Sequence, residues 1–498
     1  MSSLRICLLA SEASPFAKTG GLADVMTGLG RYLAQPPQGQ AHDVRLFLPY
    51  YRKIREEGVE SSVLEGGEDR QLRMGTREIT YSLRLANLPA SPAQLYLVDC
   101  PELYDREALY TNDADEALRF AFLTRAVLET CQLTQWAPDI IHCNDWHTAL
   151  LPLYLETLYA WDELFANTKT LLTIHNIGYQ GVFADSVLDQ IGLGEQRAHV
   201  HHGDLREGRI NFLKTGVMHS DVVSTVSRTY AKEIQTAEQG MGLEAVLQAR
   251  PDEVVGIVNG VDYTDWDPAT DPLIPHHFTA DDLSGKARMK EALLGRMGLP
   301  HDPSALTFGV VSRLTAQKGF ELFSDSIPVI LQREDVRLCV LGSGDADNEQ
   351  YFQWLRDTWP QKVAIYRGYS NELAHWIEAG CDVFLMPSRY EPCGLNQMYS
   401  LRYGTPPVVR RTGGLADTVE AWNPATGTGT GFLFDDFTNN ALLATLEWLL
   451  QNWQNQDGWR QLMRNGMAQD FSWARQGPHY ETLYRSLLAP RSPESPSV

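Results

Sequence analysis

Two identical glycine turns are the first residues in this sequence whose type and spacing suit chemistry. The hexapeptide Thr-Gly-Gly-Leu-Ala-Asp occurs at 19–24 and again at 412–417, and each copy follows a basic residue, Lys18 or Arg411. Each copy lies between a strand-like run and a helix-like run. Glycine lets backbone N–H groups approach a ligand closely, and a helix N-terminus presents free donors to an anion. The two copies predict two similar lobes that both contribute to binding a phosphate-bearing ligand.

Charged side chains follow two strand-like runs in the second half of the chain. The run 307–311 leads into Arg313 and Lys318, two cations in one loop. They suit a diphosphate because arginine can bind two oxygens at once, although solvated loop charges are the alternative. The run 383–386 leads into Glu391, just before a glycine and a helix. A carboxylate can accept hydrogen bonds from sugar hydroxyls, so this loop is a candidate sugar site.

Histidine and aspartate cluster after two strand-like runs in the first half, at 142–147 and 173–176. Metal binding is the tempting interpretation, but no paired histidines on one helix and no thiolate cage accompany them. The Asp-x-Asp pairs at 113–115 and 345–347 likewise admit Mn²⁺-dependent sugar transfer. Each directly precedes a helix-like run, so we expect both pairs to cap helices instead. The sequence therefore predicts no metal site.

Composition excludes several classes of protein. The 498 residues carry 42 basic and 63 acidic side chains, a net charge of −21, which argues against a general nucleic-acid or anionic-membrane surface. Seven scattered cysteines without a C-x-x-C pair indicate reduced thiols. The apolar run 6–10 is too short for a signal peptide, and no stretch approaches the ~20 apolar residues that span a bilayer. We expect a soluble, cytoplasmic protein.

The order of the elements predicts how the lobes are divided. Short apolar runs alternate with amphipathic ones, which is typical of parallel α/β architecture. A second series of strands is expected to open at 254–258, and the Asp- and Pro-rich stretch 262–275 to be a connection. We predict three parts: an N-terminal doubly wound domain of residues 1–255 joined by C-terminal helices at 456–488, a C-terminal doubly wound domain of residues 256–455, and a disordered tail at 489–498. In such sheets ligands bind at the carboxyl ends of the strands.

Several longer segments resemble one family, the bacterial glycogen synthases and plant starch synthases, and the resemblance extends from about residue 4 to about residue 487. The segments are SEASPFAKTGGLADV (11–25), HCNDWHTALLPLYL (142–155), TIHNIGYQGVF (173–183), VNGVDYTDWDP (258–268), SRLTAQKGFEL (312–322), SRYEPCGLNQMYSLRYGTPPVVRRTGGLADTV (388–419) and FSW (471–473). The resemblance implies the GT-B fold, with two Rossmann-like domains facing a deep interdomain cleft. It further implies a retaining glucosyltransferase that adds glucose from ADP-glucose to the non-reducing end of an α-1,4-glucan, as in glycogen synthesis.

The resemblance implies five catalytic residues, which are His175, Asp145, Arg313, Lys318 and Glu391. By the family pattern, Arg313 and Lys318 neutralise the leaving ADP. Glu391 holds the glucose hydroxyls together with the backbone that follows it. His175 lies beside the anomeric region and the sugar 6-hydroxyl, with Asp145 nearby.

The resemblance also implies a set of substrate-binding residues, which are Lys18, Gly20, Gly21, Asn176, Tyr369, Cys393, Gly394, Leu395 and Thr418. Lys18 and the first glycine turn would contact the donor diphosphate. Thr418 would bond a phosphate oxygen, and Tyr369 would lie along the adenine. Neither a metal nor a cofactor is implied, and the oligomeric state is not indicated.

One position departs from the wider group of retaining GT-B enzymes, which carry two glutamates eight positions apart. Here the first is Glu391 and the second position is Tyr399, as in glycogen and starch synthases. A retaining glycosidase would use a carboxylate nucleophile, but nothing in the sequence places Asp145 or Glu391 beneath C1. We therefore favour same-face displacement, in which the departing phosphate helps to deprotonate the acceptor.

Three alternatives remain open at the level of sequence. A related glucosyltransferase would use UDP-glucose or a non-glucan acceptor, and a sugar-nucleotide epimerase would share the fold. A catalytically inactive glucan-binding homologue would differ in class. The presence of Lys18, His175, Arg313, Lys318 and Glu391 argues against the inactive homologue.

Overall fold

The computed structural model describes residues 2–250 and 254–489, which form two compact units. The first unit contains the chain up to Val226, then Ala231–Gly260, and the C-terminal part from Trp473. The second unit contains Ser227–Tyr230 and Val261–Ser472. The division thus falls at Gly260 rather than at the predicted residue 255. Apart from Ala489, the tail predicted to be disordered lies outside the described residues.

A single large sheet organises the first unit. Its strands are β1 Arg5–Leu9, β2 Asp43–Pro49, β3 Ser62–Val63, β4 Arg70–Met74, β5 Arg77–Asn87, β6 Gln94–Asp99, β7 Ile140–Asn144, β8 Lys169–Ile174, β11 Val222–Thr225 and β12 Val254–Gly256, and a separate antiparallel pair is formed by β9 Val182–Ala184 and β10 Arg209–Asn211. The strand order is β12-β11-β8-β7-β1-β2-β6-β5-β3, with β4 paired to β5. The strands from β12 to β6 are parallel, and β3 to β5 form an antiparallel extension.

The predicted strand at 254–258 belongs to this first sheet and does not open a second series. In the structure β12 pairs in parallel with β11, from Val223 against Val254 to Thr225 against Gly256. The run was assigned to the wrong lobe because an apolar edge strand carries no signal of which neighbour it pairs with. The connection predicted at 262–275 contains no helix or strand, as expected.

The strand order of the first sheet reverses at β1, and the position of this reversal predicts where a ligand binds. Strands β2 and β6 follow on one side, while β7, β8, β11 and β12 follow on the other. The switch point therefore lies between the carboxyl ends of β1 and β7, where doubly wound sheets bind ligands. All five residues of β7 are buried, as expected of a strand covered on both faces.

Helices cover the first sheet. They are α1 Gly21–Ala34, α2 Arg52–Glu56, α3 Pro101–Tyr104, α4 Glu116–Leu133, α5 Leu151–Glu156, α6 Val187–Gln190, α7 His202–Arg206, α8 Phe212–His219, α9 Arg228–Glu233, α10 Glu244–Gln248 and the C-terminal α19 Trp473–Leu488, with 3₁₀ turns at Glu163–Phe165 and Gly194–His199. The division between the units falls within α9. Within the described residues, no helix is both long and apolar enough to cross a bilayer.

The C-terminal helix α19 docks on α1 through glycines. A Cβ atom added at Gly28 would lie 1.9 Å from Nε1 of Trp473, and one added at Gly260 would lie 2.4 Å from the same ring. The Tyr32 hydroxyl donates to the Glu481 carboxylate at 2.9 Å. Trp473, the last residue of the FSW motif, therefore fills a space that exists only because two glycines lack side chains.

The second unit is built on a six-stranded parallel sheet. Its strands are β13 Leu306–Val311, β14 Val336–Gly342, β15 Val363–Arg367, β16 Val383–Met386, β17 Pro407–Arg410 and β18 Phe432–Phe434. The order β15-β14-β13-β16-β17-β18 is the 3-2-1-4-5-6 order of a Rossmann fold. Its switch point lies between β13 and β16, the two strands whose following loops carry Lys318 and Glu391.

Eight helices of the second unit have defined bounds. They are α11 Ser284–Met297, α12 Ile327–Arg333, α13 Ala346–Thr358, α14 Asn371–Gly380, α15 Asn396–Arg402, α16 Gly413–Thr418, α17 Asn439–Trp453 and α18 Gln456–Met467, and 3₁₀ turns lie at Ala316–Lys318 and Phe320–Phe323. The prediction that residues 456–488 join the N-terminal domain differs from this structure over its first part. Trp459, Leu462 and Met463 of α18 pack into the core of the second unit, so the crossing to the first unit comes only after Ser472.

Tyr399, which takes the place of the second glutamate, stacks on the connecting segment. Its ring lies 3.9 Å from Trp266 and nearly parallel to it, and the other face of Trp266 meets His375 at 3.7 Å. Nδ1 of His375 lies 2.8 Å from the Asp271 carboxylate, which also accepts from the Tyr403 hydroxyl. The tyrosine therefore anchors the segment that enters the second unit.

Candidate active site

The loops at the second switch point bring two predicted catalytic residues into direct contact. Nζ of Lys318 lies 2.7 Å from Oε2 of Glu391, and the Ser388 hydroxyl donates to the same oxygen at 2.9 Å. Glu391 is 5% exposed. A buried carboxylate with a cation and a hydroxyl as partners is held in one orientation. One ion pair therefore joins the loop suited to a diphosphate and the loop suited to a sugar.

Two further side chains predicted to meet the nucleotide in this unit, Arg313 and Tyr369, are exposed. Arg313 follows β13 by two residues, and its side chain is exposed. Tyr369 follows β15 and is 74% exposed, with its hydroxyl 3.3 Å from the Asn371 side chain. An aromatic ring exposed to this extent at the carboxyl edge of a sheet is suited to stacking on a planar ligand.

The second glycine turn packs on the loop that carries Glu391. A Cβ atom at Gly413, which has a φ of 44°, would lie 1.9 Å from the Glu391 carbonyl oxygen. A Cβ atom at Gly414 would lie 2.1 Å from the Cys393 carbonyl oxygen. The Gly414 N–H donates to the Glu391 carbonyl at 3.0 Å. These glycines therefore permit a close approach of two protein backbones, which is the steric explanation of this turn.

The residues after Glu391 form a compact helix start, with Cys393 buried and Leu395 at the N-cap of α15. Gly394 has a φ of 74°, and a Cβ atom there would lie 2.3 Å from the Gln397 side chain. The Gln397 amide donates to the Thr418 hydroxyl at 3.1 Å. That hydroxyl in turn donates to the Gly414 carbonyl at 2.6 Å. Thr418 can donate to a phosphate oxygen only after this bond is broken.

Asp145 occupies the switch point of the first unit, directly after β7. Its φ of 57° lies in the left-handed region, which short polar side chains tolerate better than bulky ones. Its Oδ1 accepts from the backbone N–H groups of His175 at 2.7 Å and Asn176 at 3.3 Å. Burial raises the pKa of Asp145 from 3.8 to about 7, opposed by those two bonds and assisted by the charge of Glu12. Asp145 thus ties the loop after β8 to the loop after β7.

His175 follows β8 and is held by Asn144, the last residue of β7. Its Nε2 lies 2.8 Å from Oδ1 of Asn144, whose Nδ2 donates to the backbone carbonyls of Leu9 and His142. Because an amide oxygen only accepts, Nε2 carries the proton and Nδ1 is left as an acceptor. Burial lowers the pKa of His175 to about 3. At neutral pH this side chain is a neutral, oriented hydrogen-bonding group.

The first glycine turn lies after β1 at the same edge of the first sheet. Lys18 forms an ion pair with Asp24 at 2.8 Å, and α1 begins at Gly21. A Cβ atom at Gly20 would meet nothing within 4 Å, and the φ of −154° is open to any residue. Packing and backbone strain therefore do not explain this glycine. A ligand that needs the space is a sufficient reason.

Sequence reasoning missed three residues that organise these loops, Glu12, Asn144 and Ser388. Glu12 accepts four hydrogen bonds from the first glycine turn and from Tyr110. Asn144 and Ser388 orient His175 and Glu391. Each lies within a segment that also contains a predicted site residue. The available signal was a polar side chain no more than three residues beyond a strand end and no more than six from a candidate.

The Asp-x-Asp pairs lie at helix starts, as predicted, but they do not cap by side-chain hydrogen bonds. Asp115 and Asp345 are the N-cap residues of α4 and α13 without a side-chain cap. Asp113 and Asp115 instead pair with Arg106, and Asp345 accepts from the Ala316 N–H at 3.2 Å. Over residues 2–250 and 254–489, no three His, Cys, Asp or Glu side chains are grouped so as to hold a metal ion.

Two family models match the two halves of the chain. Residues 5–249 match a model described as "Starch synthase catalytic domain", and residues 297–465 match "Glycosyl transferases group 1". Among solved structures, the catalytic domain of starch synthase IV from Arabidopsis thaliana, bound to ADP and acarbose, superposes with a TM-score of 0.89 at 31% identity, covering 98% of this chain and all of that one. A sucrose-phosphate synthase from Thermosynechococcus elongatus, at 17% identity and a TM-score of 0.60, shares the fold, covering 97% of this chain and 98% of that one.

Two relatives that match over nearly their full length are named as glycogen synthases. A glycogen synthase of Koribacter versatilis is 44% identical over 98% of this chain and 99% of that protein. Glycogen synthase 1 of Geobacter sulfurreducens is 41% identical over 99% of this chain and 98% of that protein. The resemblance and the fold class stated from the sequence are thereby confirmed. With two Rossmann-like units and full-length similarity of this degree, the chain belongs to the glycogen synthase and starch synthase family of glucosyltransferases.

Proposed function

We propose that this chain is a cytoplasmic enzyme that transfers glucose from ADP-glucose to the non-reducing end of an α-1,4-glucan, with retention at the anomeric carbon. The observation that supports this best is the Lys318–Glu391 ion pair at the switch point of the second unit. Its cation is suited to a diphosphate and its carboxylate to sugar hydroxyls. Such a pair fits a donor in which a diphosphate is joined directly to a sugar.

Stabilisation of the leaving group is assigned to the cations. Breaking the glycosyl–phosphate bond develops negative charge on the departing diphosphate, and fixed cations lower the barrier because they are already oriented. Arg313 and Lys318 supply this charge from the loop after β13. Lys18 supplies it from the first glycine turn, where Gly20 leaves space for a ligand.

We assign the proton transfer to the donor itself. The acceptor hydroxyl oxygen forms a bond to C1 on the face from which the diphosphate leaves, the C1–O bond to phosphate breaks, and the hydroxyl proton passes to the departing phosphate oxygen. The pKa of His175 is lowered to about 3, so this side chain is a poor base at neutral pH. Its Nδ1 instead accepts a hydrogen bond from a sugar hydroxyl. Asp145 holds the backbone of His175 rather than attacking C1.

The most specific part of the proposal is that the donor is ADP-glucose rather than UDP-glucose. It is favoured by the relatives named glycogen synthase and by the starch synthase whose structure contains ADP. Exposed Tyr369, after β15, is the residue proposed to lie along the adenine. A tyrosine ring accepts either base by stacking, so the assay has to decide between the two donors.

Donor and acceptor can be tested together. Purified protein is incubated with ADP-glucose or UDP-glucose, with and without glycogen, and released nucleoside diphosphate is measured. ¹H NMR of the extended maltooligosaccharide reports the anomeric configuration. We expect glycogen-dependent release of ADP and new α-1,4 linkages. Preferential release of UDP would contradict the donor assignment, and β-linked product would contradict retention.

A further inference from the structure

An exposed glycine turn in the first unit is held by one buried carboxylate. Glu12, three residues after β1, is 4% exposed, whereas Thr19 and Gly21 of the turn lie at the surface. Its Oε2 accepts from the backbone N–H groups of Thr19 at 2.6 Å and Gly20 at 3.1 Å. Its Oε1 accepts from the Thr19 hydroxyl at 2.6 Å. Three of the four hydrogen bonds to this carboxylate therefore come from the turn.

The fourth bond ties the turn to the rest of the site. The Tyr110 hydroxyl donates to Oε1 of Glu12 at 2.6 Å. The Tyr110 ring stacks on His147, which follows β7, with 4.7 Å between the ring centres. Glu12 also lies close enough to Asp145 for its charge to raise the pKa of that carboxyl. The carboxylate thus stands at the switch point between β1 and β7.

Packing does little to fix the turn. A Cβ atom at Gly20 would meet nothing within 4 Å, and the Lys18 side chain turns back to Asp24 of α1. The N–H groups of Thr19 and Gly20 already donate to Glu12. An anion that binds at this turn is therefore expected to contact Lys18 and the N-terminus of α1. Which N–H groups of the turn remain available to an anion therefore depends on this side chain.

We propose that Glu12 is a positioning residue, whose carboxylate fixes the turn of residues 18–21 in the form that receives the donor diphosphate. This inference rests on the proposed function, in which Lys18 contacts that diphosphate. Glu12 itself touches no reacting atom. Its contribution is to hold the backbone of an exposed loop before the donor arrives, which reduces the ordering required on binding.

The variant Glu12→Gln tests the proposal. A glutamine oxygen facing the Thr19 and Gly20 N–H groups still accepts from both, while its NH₂ group can donate to the Thr19 and Tyr110 hydroxyls. The variant therefore keeps the shape of the side chain and replaces four charge-assisted hydrogen bonds by weaker neutral ones. We expect KM for ADP-glucose and Kd for ADP to rise about tenfold, with a smaller change in kcat. Hydrogen–deuterium exchange of the amides of Thr19 and Gly20 should accelerate.

Asp221→Asn is the matched control. Asp221 accepts from the Thr170 N–H at 2.8 Å and the Thr170 hydroxyl at 3.0 Å, as Glu12 does from Thr19, and it also pairs with Lys169 at 3.1 Å. It lies at the amino ends of β8 and β11, opposite the candidate site. This variant should lower Tm without changing KM for ADP-glucose.

Three outcomes are distinguishable. Faster amide exchange at Thr19 and Gly20 and a raised KM for ADP-glucose in Glu12→Gln, with neither change in Asp221→Asn, would support the proposal. Unchanged exchange and unchanged KM in a folded Glu12→Gln protein would overturn it while leaving glucosyl transfer intact. Faster exchange with unchanged KM would overturn the positioning role and also the proposed contact between turn and donor. If Glu12→Gln does not fold, Thr19→Val removes one of the four bonds at an exposed residue and should shift KM in the same direction by less, and an unchanged KM would overturn the proposal.

Discussion

At the scale of single residues, the Lys318–Glu391 pair carries the clearest expectation. Lys318→Ala removes a fixed cation from the leaving diphosphate, and kcat should fall by roughly 10²-fold for a loss of ~3 kcal/mol of transition-state stabilisation. Arg313→Ala should act in the same direction. Steady-state kinetics with ADP-glucose and glycogen provide the measurement.

A buried lysine at the opposite end of the same sheet supplies the control. Nζ of Lys290 lies 2.7 Å from the carboxylate of Asp382, just before β16. Lys290→Ala should lower Tm and leave kcat close to that of the unaltered protein. Near-normal turnover in folded Lys318→Ala protein would show that the pair is structural only.

Asp145 predicts a pH dependence of stability. Its pKa rises from 3.8 to about 7 on folding, so the folded chain binds this proton more tightly than the unfolded chain. The stabilisation is complete below about pH 4 and is lost as the pH rises through about 7. Asp145→Asn does not titrate. The Tm of the unaltered protein minus that of Asp145→Asn should therefore fall between about pH 4 and pH 7, and parallel Tm curves would contradict the assigned pKa.

At the scale of elements, Gly28 within α1 and Gly20 just before it allow a glycine needed for packing to be distinguished from a glycine needed for ligand binding. Gly28→Ala forces a methyl group into Trp473, and overpacking of this kind costs at least about 1–3 kcal/mol. Gly20→Ala enters open space. We expect a clear fall in Tm for Gly28→Ala and none for Gly20→Ala, which should instead raise KM for ADP-glucose. Thermal unfolding and kinetics on both proteins test this, and equal Tm losses would contradict it.

Elements with strong apolar runs were predictable from the sequence. The expected strand Val383–Met386 has the same bounds in the structure, and the expected strand 307–311 is observed as Leu306–Val311. The antiparallel strands Arg70–Met74 and Arg77–Asn87 were not predicted because the expected strands were continuous apolar runs, whereas exposed polar residues alternate with buried ones along these two. Alternation of this kind is itself typical of a strand with one buried face.

The contacts within the site could not be predicted in the same way. Lys318 and Glu391 are 73 positions apart, and Glu12 and Tyr110 are 98 apart. Only the sheet order brings their loops together. Motifs therefore identified the segments, while the partner of each side chain depends on pairing between distant strands. The roles assigned to individual site residues remain predictions.

At the scale of the whole molecule, glucosyl transfer is expected to proceed without a metal ion. The proposed charge stabilisation comes from Arg313, Lys318 and Lys18. Activity should therefore survive prolonged treatment with EDTA followed by gel filtration. Loss of activity that Mn²⁺ or Mg²⁺ restores would contradict this and would redirect attention to Asp145 and its neighbours. Protein passed through the same column without chelator is the control.

The return of the chain to the first unit at Trp473 has a consequence for the order in which the protein is made on the ribosome. When Gly260 has been synthesised, the surface of α1 at Gly28 and Tyr32 still lacks its covering helix α19. The whole body of the second unit must be translated first, which takes roughly 10–40 s at about 5–20 residues per second. Throughout that interval the nascent first unit presents an incomplete apolar surface, whereas the second unit can fold as soon as its own last residues have been made. Protein truncated after Ser472 should therefore have a folded second unit and a protease-sensitive first unit.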